Sequence, residues 1–136
     1  MTLPSPHGAL QPGLAVFVVE DEFLISLELA DVLQRNDCRV VGPAPTVADA
    51  LALLEREAPA AAVLDVTLRG ERVTPVAAAL RRRGIPYVLA SACDGRETDG
   101  HPELEGVENL GKPTQPGRLI ESLARITDGR HRGDGG

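Results

Sequence analysis

At 136 residues, 43% hydrophobic and 25% charged, the chain has the size and composition of one soluble globular domain and no room for a second. Its net charge of −6 leaves Arg81-Arg82-Arg83 as the one compact basic run, and its aromatic residues are only Phe17, Phe23 and Tyr87, which argues against groove binding or base stacking on nucleic acid. No apolar stretch approaches the ~20 residues of a membrane span, no basic-then-apolar leader opens the chain, and Cys38 and Cys93 are too few for a disulfide framework or a metal cluster, so a cytoplasmic protein with reduced thiols and no membrane partner is expected.

A lead rich in proline and glycine, 1–13, is expected to be flexible. From there an apolar strand and an amphipathic helix alternate five times, which predicts an α/β fold over 14–127: a doubly wound, five-stranded parallel sheet. The first strand, Ala15-Val16-Phe17-Val18-Val19, runs into Glu20-Asp21-Glu22. A helix over roughly 22–35 follows, with Ile25, Leu29, Val32 and Leu33 on one face and Glu28, Asp31 and Arg35 on another. Arg39-Val40-Val41-Gly42 is the second strand, and Thr46 with Asp49 has the spacing of a capping box before the helix that Pro59 stops. The third strand, Ala60-Ala61-Ala62-Val63-Leu64, ends in Asp65. Thr74 is the expected N-cap of the third helix, with Pro75 at its first position and Gly84 just past its end. Ile85-Pro86-Tyr87-Val88-Leu89-Ala90 ends in Ser91, and 94–103, with two glycines, a proline and no apolar period, predicts a loop or one short turn where a fourth helix would stand. Gly106-Val107-Glu108-Asn109-Leu110 is the fifth strand, followed by Lys112-Pro113. The last helix starts near Pro116 and repeats Leu119, Ile120, Leu123 and Ile126, and the polar, glycine-rich tail 128–136 is expected to be disordered.

Ligands of open parallel sheets sit beyond the carboxyl ends of the strands, where strand order reverses. With the order 2-1-3-4-5, Glu20, Asp21 and Asp65 converge there, and like charges held that close call for a cation. Hard oxygen ligands without a histidine or cysteine cluster favour Mg²⁺ over zinc. A carboxylate beside such a metal can attack phosphorus and form an acyl phosphate. Asp65, standing alone opposite the pair, is the candidate nucleophile. Lys112 can neutralise phosphoryl charge and the Ser91 hydroxyl can donate to a phosphoryl oxygen. Read singly, the acids are equally a helix N-terminus favoured by the macrodipole, Ser91 a strand-ending hydroxyl, Lys112 a solvated lysine and Cys93 a small packed residue.

Val18-Val19-Glu20-Asp21-Glu22, Val63-Leu64-Asp65-Val66, Ala90-Ser91 and Lys112-Pro113 occur in order and at the distances that mark the receiver domain of bacterial two-component response regulators. The chain resembles that family over about 14–127, and most resembles its stand-alone, single-domain type. The resemblance implies a flavodoxin-like fold and phosphorylation of Asp65 by a histidine kinase or histidine phosphotransfer protein. It also implies Mg²⁺ held by Asp21, Asp65 and the backbone carbonyl of Thr67 with Glu20 assisting, movement of Ser91 and Lys112 on activation, and a cis Lys112–Pro113 bond. Asn109 stands three residues before Lys112 where the family often has an aromatic, Thr114 replaces a common phenylalanine, and Leu89-Ala90-Ser91-Ala92-Cys93-Asp94 keeps only the alanine and the hydroxyl of that type's loop signature.

The function that follows is a phosphoacceptor that signals through protein contacts with a downstream target, or serves as a phosphate sink or shuttle, and catalyses nothing beyond its own phosphorylation and dephosphorylation. A phosphorylation-independent pseudo-receiver is the alternative. An aspartate-based phosphatase would need a second acid at position 67, which is Thr67. The partner surface is expected at the far edge of the sheet, from the last helix, the strand before it and loop 94–106.

Overall fold

The computed structural model describes residues 10–92 and 95–135. In chain order these form β1 (Ala15–Val19), α1 (Phe23–Arg35), β2 (Arg39–Ala44), α2 (Val47–Leu54), β3 (Ala61–Leu64), a hairpin of β4 (Thr67–Leu68) and β5 (Glu71–Arg72), α3 (Thr74–Arg82), β6 (Tyr87–Leu89), a single 3₁₀ turn at Gly95–Thr98 and α4 (Pro116–Gly135). Four parallel strands lie in the order β2-β1-β3-β6, with Val16 to Val19 facing Ala61 to Leu64 in register. This is the doubly wound, flavodoxin-like class that the strand–helix alternation predicts.

Successive side chains of a strand point to opposite faces, so a sheet covered on both sides needs apolar residues at every position. Phe17, Val19, Ala62, Leu64 and Leu89 pack with Val47, Ala50 and Leu54 of α2 and Val76, Ala77 and Leu80 of α3. Val16, Val18, Ala61, Val63 and Val88 pack with Leu29 and Leu33 of α1 and Leu119 and Leu123 of α4. Among the described residues, no helix is long and apolar enough to cross a membrane.

Gly42 bends β2 where its register against β1 shifts. Its φ is +96°, and a Cβ there would stand 2.9 Å from both the Val18 carbonyl oxygen and the Ala44 nitrogen, so no other residue fits without moving backbone.

Three expectations need correction. The fifth strand shrinks to one parallel bridge between Leu89 and Asn109, in which the Leu89 N–H donates to the Glu108 carbonyl (2.8 Å) and the Leu110 N–H to the Leu89 carbonyl (2.7 Å). β6 ends at Leu89, and Gly106 (φ +78°) and Gly111 (φ +82°) turn the chain at either end of the segment. Thr74 is not a cap: Val73 holds that position without a side-chain bond, and the Thr74 hydroxyl lies 2.9 Å from His101 Nδ1. A tertiary partner 27 residues away has displaced the local cap. The tail after Thr127 continues α4 to Gly135, since extending a formed helix gains one hydrogen bond per residue fixed without a new nucleus. The β4–β5 hairpin was not anticipated; Arg69 (φ +50°) and Gly70 (φ +83°) make its two-residue turn, and a pair of two-residue strands is too short for periodicity to show.

Other boundaries hold, except that α2 ends at Leu54, short of Pro59. The Thr46 hydroxyl accepts from the Asp49 N–H at 3.0 Å, and among the described residues the fourth helix is absent beyond its single turn. Arg83 is the C-cap of α3, and its guanidinium also donates to the carbonyls of Leu54 (2.5 Å) and Glu57 (2.9 Å) at the end of α2. Of the lead 1–13, residues 1–9 lie outside the described residues, as do Cys93 and Asp94 of the loop signature; Leu10 packs against the α1/α4 core.

Candidate phosphoacceptor and metal site

The carboxyl ends of β1 and β3 are adjacent because the two strands pair in register, with the Asp65 N–H donating to the Val19 carbonyl at 2.9 Å. Glu20, Asp21, Glu22 and Asp65 therefore each bring a carboxylate oxygen into one cluster whose atoms lie within 4.8 Å of one another. Glu20 and Asp65 are buried, Asp21 is half-buried and Glu22 exposed. Short backbone bonds aim these groups. Asp65 Oδ1 accepts from the Val66 N–H (2.8 Å), Glu20 Oε2 from the Glu22 N–H (3.0 Å), and Asp21 Oδ2 from the Arg69 N–H (2.8 Å) at the hairpin turn.

Lys112 closes the cluster. Its Nζ donates to Asp65 Oδ2 (2.9 Å), Glu22 Oε1 (3.0 Å) and Glu20 Oε2 (3.2 Å). Glu20 Oε1 also lies 3.1 Å from Nζ, but off the line of a hydrogen bond, and is a buried oxygen with no hydrogen-bond partner. Burial first, and then the like charge of Asp65, push the Glu20 carboxyl up to about 7, against the lowering by the Glu22 amide and Lys112. Burial opposes the charge of Lys112, but its bonds to Asp65, Glu22 and Glu20 outweigh that and raise it above the ordinary lysine range.

One ammonium cannot satisfy four carboxylates, and the Glu20 oxygen left without a hydrogen bond is where the deficit shows. An all-oxygen donor set short of positive charge, with no described histidine or cysteine ligand in it, fits a hard divalent cation such as Mg²⁺.

Ser91 follows β6, whose Leu89 pairs with Leu64 of β3, so it extends one position past the level of Asp65; it is buried, and its N–H donates to Asn109 Oδ1 at 3.0 Å. The Lys112–Pro113 bond is cis. Thr67 begins β4, and its hydroxyl accepts from the Arg72 guanidinium at 2.7 Å. The structure thus brings Glu20, Asp21, Asp65 and Lys112 together and sets Ser91 and Thr67 at the ends of the same or neighbouring segments.

No protein-family model matches the chain. The sensory transduction protein LytT of Bacillus anthracis is 30% identical over 115 residues, which are 82% of this chain and 46% of that protein. SdrG from Pseudomonas melonis Fr1, solved in its BeF3-activated conformation, is 37% identical, the match covering 87% of this chain and 99% of that one with a TM-score of 0.70. The chain belongs to the receiver-domain family of response regulators. The response regulator PhyR from Brucella abortus, at 21% identity, has the same fold over 93% of this receiver domain and 53% of its own chain, with a TM-score of 0.79. The receiver domain spans about half the length of LytT and of PhyR.

Sequence reasoning missed three contributors. Glu22 reads as part of the acidic motif, yet it is the third carboxylate on Lys112. Arg69 acts through its backbone N–H, which no residue type announces. Phe23, Leu24 and Leu27 stand 70%, 73% and 48% exposed on the first turns of α1, directly after the acids. The signal for them was present, since Ile25, Leu29, Val32 and Leu33 already account for that helix's buried face.

Proposed function

We propose that this receiver domain accepts a phosphoryl group on Asp65 from a histidine kinase or histidine phosphotransfer protein, in a Mg²⁺-dependent reaction, and passes the signal on by protein contact. The observation that carries this reading is the placement of Asp65: one oxygen tied to the Val66 N–H, the other to Lys112 Nζ, at the edge of a carboxylate cluster with an unsatisfied buried oxygen.

The two bonds fix the Asp65 carboxylate so that an oxygen can meet phosphorus in line. As the new O–P bond forms, the P–N bond to the donor imidazole breaks and the electron pair leaves with the ring nitrogen. Lys112 is cationic throughout and can follow the charge from carboxylate to phosphoryl oxygens, while the Ser91 hydroxyl donates to one of them. Asp21 and Asp65, with Glu20 and the backbone carbonyl of Thr67, would hold the cation. When bound, Mg²⁺ neutralises the charge of the acids and of the incoming phosphoryl group together.

The donor protein needs a landing surface within reach of Asp65. Phe23, Leu24 and Leu27 form a contiguous exposed apolar patch on the helix that starts at the site, and exposed patches of this kind mark interaction surfaces. The patch favours α1 for the donor's approach, with the far edge of the sheet left for a downstream target. A phosphate sink or shuttle uses the same chemistry without the second contact.

Incubating the protein with acetyl phosphate and Mg²⁺, then measuring intact mass, tests the reading. A phosphoryl adduct that needs Mg²⁺ and is lost in Asp65→Ala is expected. No adduct on folded, Mg²⁺-bound wild type would overturn it in favour of a phosphorylation-independent interaction module.

A further inference from the structure

Ser91 and Lys112 act on one phosphoryl group in this reading, yet the sheet does little to place either. β6 is three residues long, and the segment before Lys112 touches the sheet through the single bridge at Asn109. Something other than strand pairing must hold the two in register.

The Asn109 side chain spans the gap. Its Oδ1 accepts from the Ser91 N–H at 3.0 Å and from the Gly111 N–H at 3.0 Å. A carboxamide oxygen has two lone pairs, and here each meets a backbone amide from a different loop. Because both neighbours are donors, the oxygen rather than the nitrogen must face them. The Thr114 hydroxyl donates to the Gly111 carbonyl at 2.7 Å, so both polar backbone atoms of the residue before Lys112 are bound by side chains rather than by a strand.

We propose that Asn109 is a positioning residue that ties the Ser91 loop to the Lys112 loop, so that the two groups meeting the phosphoryl oxygens are placed by one carboxamide. The inference rests on the phosphoacceptor reading for its function, but the tie itself is a property of the unphosphorylated protein. Thr114 braces the Lys112 side of it. A movement of either loop then carries the other, because separating them takes the Asn109 acceptor away from the Ser91 amide.

Two variants of the full chain test this. Asn109→Leu keeps the branched shape and removes the acceptor; Asn109→Asp keeps an oxygen within reach of both amides. With acetyl phosphate at saturation, Asn109→Leu should gain the phosphoryl group about tenfold more slowly or worse, with Mg²⁺ affinity unchanged, because the metal-holding acids lie on other strands. Asn109→Asp should recover most of the rate. A wild-type rate in Asn109→Leu, or equal slowing in both variants, would overturn the proposal. Should Asn109→Leu fail to fold, amide exchange of the wild type decides: Ser91 and Gly111 should be protected and respond together to beryllofluoride, and an unprotected amide at either position contradicts the tie. That measurement stands even if wild type takes no phosphoryl group, an outcome that would count against the phosphoacceptor reading alone.

Discussion

Glu20, Asp21 and Asp65 leave the ends of β1 and β3, central strands buried on both faces, whereas Ser91 and Lys112 stand on segments held by a three-residue strand, one bridge and a few side chains. The contrast fits the proposed chemistry. Carboxylates packed within 4.8 Å repel, and only a rigid frame keeps them together until a cation arrives. In the proposed reaction Ser91 and Lys112 move toward a new phosphoryl group, and groups that move belong where few buried contacts and few ladder bonds resist motion. The two halves differ in the kind of order that builds them, strand pairing in one and side-chain bonds to backbone in the other.

The largest effect should come from the strand half. Phe17 is fully buried in β1 between the sheet and α2/α3, and Phe17→Ala should cost about 3–5 kcal/mol in a denaturant melt, shared by the whole domain. A loss confined to one end would break the comparison.

The acids themselves give a pH signature next in size. Glu20 is pushed up from 4.5 to about 7 by burial and by Asp65, so folding favours its protonated form. Its contribution is full below about pH 4.5 and lost as pH rises through 7, by about 3 kcal/mol without metal. Melts in EDTA should show that fall and saturating Mg²⁺ should remove it; a flat profile in EDTA would contradict the burial of charge at this site.

Gly42→Ala should cost about 2 kcal/mol or more, because the φ of +96° and the 2.9 Å approaches to Val18 and Ala44 leave a methyl group no room. Stability unchanged by this substitution would mean that β2 tolerates another path past β1.

The smallest effect separates the halves. The Tyr87 hydroxyl donates to the Glu103 carbonyl at 2.5 Å, one of the bonds pinning the 99–107 segment to β6. Tyr87→Phe should cost about 1 kcal/mol and raise amide exchange over 99–107 while leaving β1 and β3 unchanged. Faster exchange in β1 would show that the halves are not independent.

What was legible in the sequence follows the same division. Continuous apolar runs closed by acids announced β1 and β3, because strands buried on both faces cannot alternate. The site acids and Lys112 were legible because they sit where a strand ends. The other half depends on partners distant in sequence. Thr74 has every local mark of an N-cap and is taken by His101. Asn109 reads as a missing aromatic, and its bonds to the amides of Ser91 and Gly111 carry no sequence signal at all. Residues 106–110 look like a strand, but glycine turns and a short neighbour reduce them to one bridge.

Amide NMR during titration with beryllofluoride and Mg²⁺ asks whether a phosphoryl mimic on Asp65 is met by the loop half of the molecule. Saturable shifts are expected at Asp65, Ser91, Gly111 and Lys112 that vanish in Asp65→Ala, with the interior of β1 and β3 little changed. Shifts confined to the acids, or persisting in Asp65→Ala, would contradict that expectation.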